Sequence, residues 1–202
     1  MREVLPDIFT WAWFSDRFKY DFNGHFIRHP SGNLVVDPVE PSDTDLAELV
    51  EHGVARVLLT NRNHYRACAK VRAATGARVA IHPADAGFVR EREIEVDDAL
   101  EVGQRVGPFT VVSAAGKSPG EVALHWPERR LLLVGDACAG NPPGELGLLP
   151  AKAIDDAAQL GRSLAALLAL DFDALLVGDG VPILEGGKAA LQRLVDRLEV
   201  RA

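Results

Sequence analysis

Cysteine is scarce in this chain of 202 residues, with only Cys68 and Cys138. Two thiols cannot staple a small secreted scaffold or build a cysteine-rich zinc site, and they suit a reducing compartment. Long apolar runs are missing as well: no stretch approaches the roughly 18–20 residues of a membrane-spanning helix. The first residues, Met1-Arg2-Glu3-Val4-Leu5-Pro6-Asp7, lack the apolar segment of a secretory leader. The expectation is a cytoplasmic protein with no membrane partner. Basic charge is also in short supply, since 22 Lys and Arg are outnumbered by 29 Asp and Glu for a net charge of −7. The two signs are interspersed, so no clustered basic face is available for nucleic acid. The pair Arg129-Arg130 follows Trp126-Pro127-Glu128 and reads as a hairpin turn. There is no internal repeat, no low-complexity tract and no Gly-x-Ser-x-Gly nucleophile turn.

What the chain does have is apolar residues in quantity. Hydrophobic residues make up 48% of it, enough to bury a large core, and one domain over 1–202 is the simplest organisation. Ile8 to Ser15 is rich in β-favouring residues and reads as a strand. Residues 22–29 and 33–37 form a strand pair around Pro30-Ser31-Gly32. Ser42 or Asp43 caps a helix over about 44–52 that Gly53 closes. Arg56 to Thr60 is a short buried-type strand, Tyr65 to Thr75 a helix stopped by Gly76, and Ala77 to Ile81 a further strand with a helical piece after Pro83. Strands follow at Thr110–Ser113, Glu121–Trp126 and Arg130–Val134, and another at Ala174–Val177. Ile154 to Leu170 is expected to be the longest helix, with Leu160, Leu164, Leu167 and Leu168 along one side, and Gly187 to Arg201 closes the chain. Between them, 137–150 is a Gly- and Pro-rich connection, either a wall or lid beside the site or an ordinary irregular loop. Strands in groups with helices between them suit an α+β fold.

One segment stands out. Val57-Leu58-Leu59-Thr60-Asn61-Arg62-Asn63-His64-Tyr65-Arg66 resembles the strand-end loop of the metallo-β-lactamase superfamily, which carries T-H-x-H-x-D-H with zinc-binding His and Asp. Gly116-Lys117-Ser118-Pro119-Gly120-Glu121 is similar to that family's G-H-T-P-G-S segment. Leu131-Leu132-Leu133-Val134-Gly135-Asp136 resembles its strand ending in a bridging Asp, and Leu175-Leu176-Val177-Gly178-Asp179-Gly180 its last G-H-G turn. Gly24-His25-Phe26-Ile27 and Gly32-Asn33-Leu34-Val35-Val36-Asp37-Pro38 are like the family's opening strands and their acidic strand end. Order and spacing agree from about residue 7 to 185. The resemblance implies a four-layer αββα sandwich, and its ester- and thioester-cleaving branch, akin to glyoxalase II, is the nearest by motif. The chain is too short for that enzyme's additional C-terminal substrate-binding region.

The same resemblance puts Asn61, Asn63, Tyr65, Arg66, Lys117, Asp136 and Asp179 where the family has metal ligands, and only Asp136 is a retained ligand. Amide oxygens are poor zinc donors, and a guanidinium has no lone pair to give. No zinc pair is therefore expected; a single hard cation on Asn61, Asn63, Asp136 and Asp179 oxygens is the alternative, opposed by the charges of Arg66 and Lys117. We expect an internal network in which Arg66 and Lys117 balance Asp136 and Asp179. His64 sits on a spacer position of the motif. Asn61 and Asn63 have a plain role as helix caps, and His25, His29, His52, His82 and His125 share no ligand spacing and read as surface or hairpin residues. Trp11, Trp13, Phe14 and Trp126 are core or rim aromatics, or an aromatic wall at the pocket mouth.

Two functions follow from this pattern. The first is a pseudo-hydrolase that binds a small polar or anionic ligand or a partner, with Arg66 and Lys117 as anchors for carboxylate or phosphate. The second is an active ester or thioester hydrolase with His64 as general base, Asp136 or Asp179 orienting it, and a cation clamping developing negative charge. A homodimer is the default assembly.

Overall fold

The structure, a computed structural model, describes residues 1–200. A seven-stranded sheet comprises β1 (Arg2–Leu5), β2 (Ile8–Ser15), β3 (Tyr20–Ile27), β4 (Leu34–Val36), β5 (Arg56–Leu59), β6 (Arg78–Ile81) and β7 (Asp98–Ala99), in that spatial order. A five-stranded sheet is ordered β12 (Ala174–Leu176), β11 (Leu131–Leu133), β10 (Val122–Trp126), β9 (Phe109–Ser113) and β8 (Arg105–Val106). Helices α1 (Asp43–His52), α2 (Cys68–Thr75) and α3 (Pro83–Arg90) share an apolar cluster with the first sheet, and α4 (Ala157–Leu167) and α5 (Gly187–Glu199) with the second. The result is the αββα sandwich that the motif order implies.

Strand periodicity builds the layers. In β5, Leu58 faces the other sheet while Val57 and Leu59 face the helices; in β11, Leu131 and Leu133 face inward and Leu132 outward. Because both faces of these central strands are covered, they are apolar throughout, as parallel pairs usually are. β4, β5 and β6 are parallel, as are β11 and β12. Their C-terminal ends, Asp37, Thr60, Asp136 and Asp179 among the residues just beyond them, converge at one edge of the sandwich, the usual place for a ligand site on such strands.

Several boundaries differ from expectation for identifiable reasons. Helix α2 starts at Cys68, not Tyr65, and its N-cap is Ala67 with no side-chain cap. Asn61 and Asn63 therefore do not cap it; Asn61 Oδ1 instead accepts from the Asn63 backbone N–H at 2.8 Å, closing a turn. The helix expected over 154–170 is shortened by a 3-10 turn at Ala151–Ala153, and Asp156 caps α4 by accepting from Gln159 N. The longest helix is α5, with 13 residues; Arg201 lies outside the described residues. Strands β1, β7 and β8 are too short or too polar to carry a strand pattern. Helix α1 follows expectation, with Ser42 and Asp45 forming a reciprocal capping box. Among the described residues, no helix is long and apolar enough to cross a membrane.

Phe109 is fully buried between the sheets and stacks edge-on with Trp126 at 5.7 Å. Phe109→Ala should destabilise the fold by about 3–5 kcal/mol, read as a lower denaturation midpoint in urea.

Candidate functional site

Asp136 lies at the centre of the converging strand ends, 2% exposed. Its Oδ1 is 2.9 Å from His64 Nε2 and its Oδ2 is 2.9 Å from Lys117 Nζ. Behind His64, its Nδ1 is 2.9 Å from Asp37 Oδ2. Asp37 is itself fixed by Thr60, whose backbone N–H and hydroxyl donate to its two oxygens at 2.8 and 2.7 Å. A ring with a carboxylate at each nitrogen carries both protons. Burial opposes that charge, but Asp136 and Asp37 outweigh it and raise the His64 pKa to about 10.

Lys117 completes the cluster. Its ammonium donates to Asn61 Oδ1 at 2.9 Å and to Asn63 Oδ1 at 2.6 Å, and it forms an ion pair with Asp136 Oδ2 at 2.9 Å, so three protein side chains engage it. Burial would push the Asp136 carboxyl up; the His64 and Lys117 charges reverse this and hold it well below the usual carboxylate range. Glu121, 1% exposed, supports the cluster from beneath: its Oε1 accepts from the Asp136 backbone N–H at 2.9 Å and from Asn61 Nδ2 at 3.3 Å. Its Oε2 has no partner. Burial and then the Asp136 charge push the Glu121 pKa well up from the usual glutamate value.

The loops are locked in place by Asp85 at the start of α3. Its Oδ2 accepts from Arg62 N at 2.9 Å and Ser118 Oγ at 2.5 Å, and its Oδ1 accepts from Gly120 N at 3.0 Å. One carboxylate thus joins the segment after β5 to the segment before β10. On the opposite side, Asn23 of β3 donates to Val177 O and Gly180 O at 3.1 and 2.8 Å. His25 Nε2 donates to Val177 O at 3.2 Å, so its Nδ1 accepts from the Thr10 hydroxyl at 2.9 Å. Burial lowers the His25 pKa to about 4, and this histidine is a neutral core residue rather than a surface one. His125 is also buried, bonded to Asp171 O. Gly178 must lack a side chain because a Cβ there would come within 2.9 Å of His64 Cε1 and 3.1 Å of Asp136 Oδ1.

Outside this cluster lies a cleft of about 280 Å³. Its inner floor is Lys117, Asp136 and Asp179; Phe18, Tyr20 and Phe22 form one wall, and Leu149 and Pro150 from the Gly/Pro-rich connection form another. That connection is tied down, with Ala139 paired to Gly147 and Gly140 to Gly180, which makes it a fixed wall. Asp179 is 3% exposed, and its Oδ2 accepts from Tyr20 OH at 3.3 Å while its Oδ1 has no partner. Burial and then Asp136 raise the Asp179 pKa to about 7. Burial and Asp179 in turn push the Tyr20 phenol up to about 12.

The expected site residues separate into three groups. Asn61, Asn63, Lys117 and Asp136 come together, joined by His64, which turns inward from its spacer position. Arg66 and Asp179 face the cleft without pairing through an ion pair; Arg66 is exposed and lies 4.2 Å over the Phe22 ring. Tyr65 is not brought to the cleft at all: its ring stacks edge-on with Phe88 at 6.4 Å in the layer under the helices. Lys117, expected as a ligand anchor, is 4% exposed and engaged by Asn61, Asn63 and Asp136. His64, expected as a base in the hydrolase reading, is 2% exposed with both nitrogens occupied and holds its protons too tightly to accept another. Sequence reasoning missed Asp37, Glu121 and Asp85 as members of the cluster, although Asp37 and Glu121 stand inside the quoted motifs. Among the described residues, no group of three or more His, Cys, Asp and Glu is placed to hold a metal ion.

The layered fold and a site at the strand ends define a hydrolase-like αββα protein. The chain belongs to the metallo-β-lactamase superfamily, whose family model it matches over residues 2–198. It is 33% identical over 133 residues to the hydroxyacylglutathione hydrolase of Cereibacter sphaeroides (strain ATCC 17029 / ATH 2.4.9), covering 61% of this chain and 51% of that protein. The chain therefore spans about half the length of the curated relatives it matches. In fold it is similar to the DIM-1 metallo-β-lactamase, with TM-score 0.78 and 18% identity over 99% of this chain and 96% of that one. It is likewise similar to the metallo-β-lactamase family protein TTHA1429 of Thermus thermophilus, with TM-score 0.74 and 19% identity over 98% of this chain and 81% of that one.

Two predictions test the electrostatics. The raised His64 pKa stabilises the fold fully below the unfolded value near 6.5, and the contribution is lost as pH rises towards about 10. Wild-type unfolding free energy should therefore fall between pH 7 and 8.5, a window above those of His25 and Asp179 and below cysteine titration in the unfolded chain. His64→Gln should be less stable at pH 7 by about 3–5 kcal/mol, because it leaves two buried carboxylates short of a cation, and its pH slope should be shallower. Glu121→Gln should behave in the opposite way. It preserves the acceptor at Oε1 and removes an acid whose ionised form burial and Asp136 oppose, so urea denaturation at pH 7 should show no loss of stability, with an advantage that grows as pH rises above the ordinary glutamate range.

Proposed function

We propose that this protein is a metallo-β-lactamase-fold pseudo-hydrolase, in which two side-chain cations stand in for metal and the cleft binds a small polar or anionic ligand. The observation that carries this reading is the pair of 2.9 Å contacts that commit both oxygens of Asp136 to His64 and Lys117. A zinc site needs three or four lone-pair donors around one point. Here the point is filled by an ammonium group whose neighbours, Asn61, Asn63 and Asp136, all present oxygen to it. Those oxygens would suit a hard cation, but Lys117 already supplies the positive charge, and a second cation beside it would be repelled. The donor set does not fit a zinc pair.

Function as an ester or thioester hydrolase is the second reading, supported by the hydroxyacylglutathione hydrolases among the relatives. It cannot use His64 as a base. The cleft-facing group that titrates near neutrality is Asp179. Against this reading, the cleft contains no positioned nucleophile, and the carboxylate–imidazolium–carboxylate chain is sealed behind Lys117. Two buried free thiols, Cys68 and Cys138, accord with a reducing cytoplasm.

Protein expressed in zinc-supplemented medium and desalted should contain well below one equivalent of zinc by elemental analysis. Its melting temperature should not change on adding chelator, since a structural metal would couple directly to folding. Thioesters, lactones and β-lactams should not be turned over. About two equivalents of zinc with chelator-sensitive hydrolysis would overturn the pseudo-hydrolase reading.

A further inference from the structure

With Lys117 engaged, the charges left to meet a ligand in the cleft are those that the protein itself leaves unmatched. Arg62 is paired with Asp155 at 2.6 Å and Lys117 with Asp136. Among the described residues Arg66 and Lys152 make no ion pair, and both are exposed on the cleft lining. Facing them on the floor is Asp179, nine-tenths and more buried, with an Oδ1 that has no hydrogen-bond partner. A buried polar atom without a partner is costly, and few native residues carry one unless something else completes it. The wall beside them is aromatic: Phe18, Tyr20 and Phe22 lie with ring centroids 5.8–6.0 Å apart and their planes tilted by 30–64°.

We infer that the cleft is built for a small aromatic acid bearing one hydrogen-bond donor, its anion held by Arg66 and Lys152, its ring against the exposed Phe18, and its N–H or O–H on Asp179 Oδ1. This rests on the metal-free reading of the floor and specifies the ligand that reading leaves open. Size agrees: pockets for drug-sized ligands run to about 300–1,000 Å³, and 280 Å³ is at the small end, right for a single ring with its substituents. The arrangement also explains why the aromatic side of the cleft carries an arginine over Phe22, since a guanidinium on a ring face presents its edge to a carboxylate. A phosphate would use the two cations but neither the rings nor Asp179. An alkyl ammonium would use Asp179 and the rings but would be repelled by Arg66.

The test uses the intact protein, confirmed metal-free, with 3- and 4-hydroxybenzoate, their methyl ethers, benzoate, phenol, acetate and inorganic phosphate as probes in NMR and calorimetric titrations. At least one hydroxybenzoate should bind about tenfold tighter than its methyl ether, the difference expected for one good hydrogen bond. Acetate, phenol and phosphate should be weaker still. Asp179→Ala should abolish the preference for hydroxyl over methoxyl, and Arg66→Ala should weaken every aromatic acid about tenfold or more while leaving phenol unchanged. Equal binding of hydroxybenzoates and methyl ethers, or phosphate binding as well as benzoate does, would overturn the inference. So would the absence of any aromatic-acid binding at millimolar concentration. Metal content separates the two failures: zinc in the protein sinks the pseudo-hydrolase reading, whereas a metal-free protein that ignores these acids sinks only this one.

Discussion

Asp136 is a carboxylate sealed at the junction of two sheets, and its charge has to be balanced within hydrogen-bonding reach. Burial alone would favour its neutral form, and an unpaired charge there would be heavily destabilising. Every nearby feature follows from that requirement. The imidazolium of His64 takes one oxygen and the ammonium of Lys117 the other, and the backbone N–H of Asp136 is answered by Glu121. Because His64 is charged, it needs a second acid, which is why Asp37 accepts at its far nitrogen. Because the buried Lys117 ammonium needs acceptors for its N–H groups beside its ion pair with Asp136, the two asparagine side chains turn their oxygens towards it. The order of dependence runs from one acid outward.

The same constraint shapes the backbone. To bring His64 under Asp136, the segment after β5 continues in turns until Ala67, and α2 gives up its first turn relative to the helical pattern of its sequence. Gly178 passes close over the His64 ring, where a Cβ would collide. Asp85 then holds the two ligand-position loops together, so that Lys117 approaches Asp136 from a fixed direction. Buried ion pairs add little net stability compared with an apolar core, yet removing one partner is severe. The network is therefore better understood as a device that fixes geometry than as a source of folding energy.

The layers of the fold were legible in the sequence because their signal is local and repeated. β2 spans the residues that a run of β-favouring side chains assigns to it, and α1 starts where Ser42 and Asp45 can cap each other. The convergence of Lys117 with Asp136 was legible too, through motif order. What local pattern could not reveal was direction. Whether His64 points inward or Arg66 does depends on where the turn after Thr60 ends, and that is decided by a contact with Asp136, 72 residues away. Arg66 was expected to share the balancing role; it lies on Phe22 instead, because His64 takes the place in the cluster. Tyr65 falls under the helices for the same reason: reversing one residue of a turn reverses its neighbour. Glu121 stood in view within a quoted motif, but its place beneath Asp136 is set by a contact 15 residues away that no local pattern carries.

A cluster that satisfies itself this fully has a consequence for chemistry. Lys117 is engaged by Asn61, Asn63 and Asp136, and His64 lies buried between Asp136 and Asp37, so the charge of each is already balanced within the protein. Electrostatic catalysis depends on dipoles and charges that are poised but not yet fully engaged. Here the engaged charges are behind the floor and the unengaged ones, Arg66 and Lys152, stand at the rim, across from the partnerless oxygen of Asp179. That separation favours recognition over bond cleavage. The groups able to hold a ligand remain free to meet it, while those at the centre of the family's metal site are spent on holding the protein together.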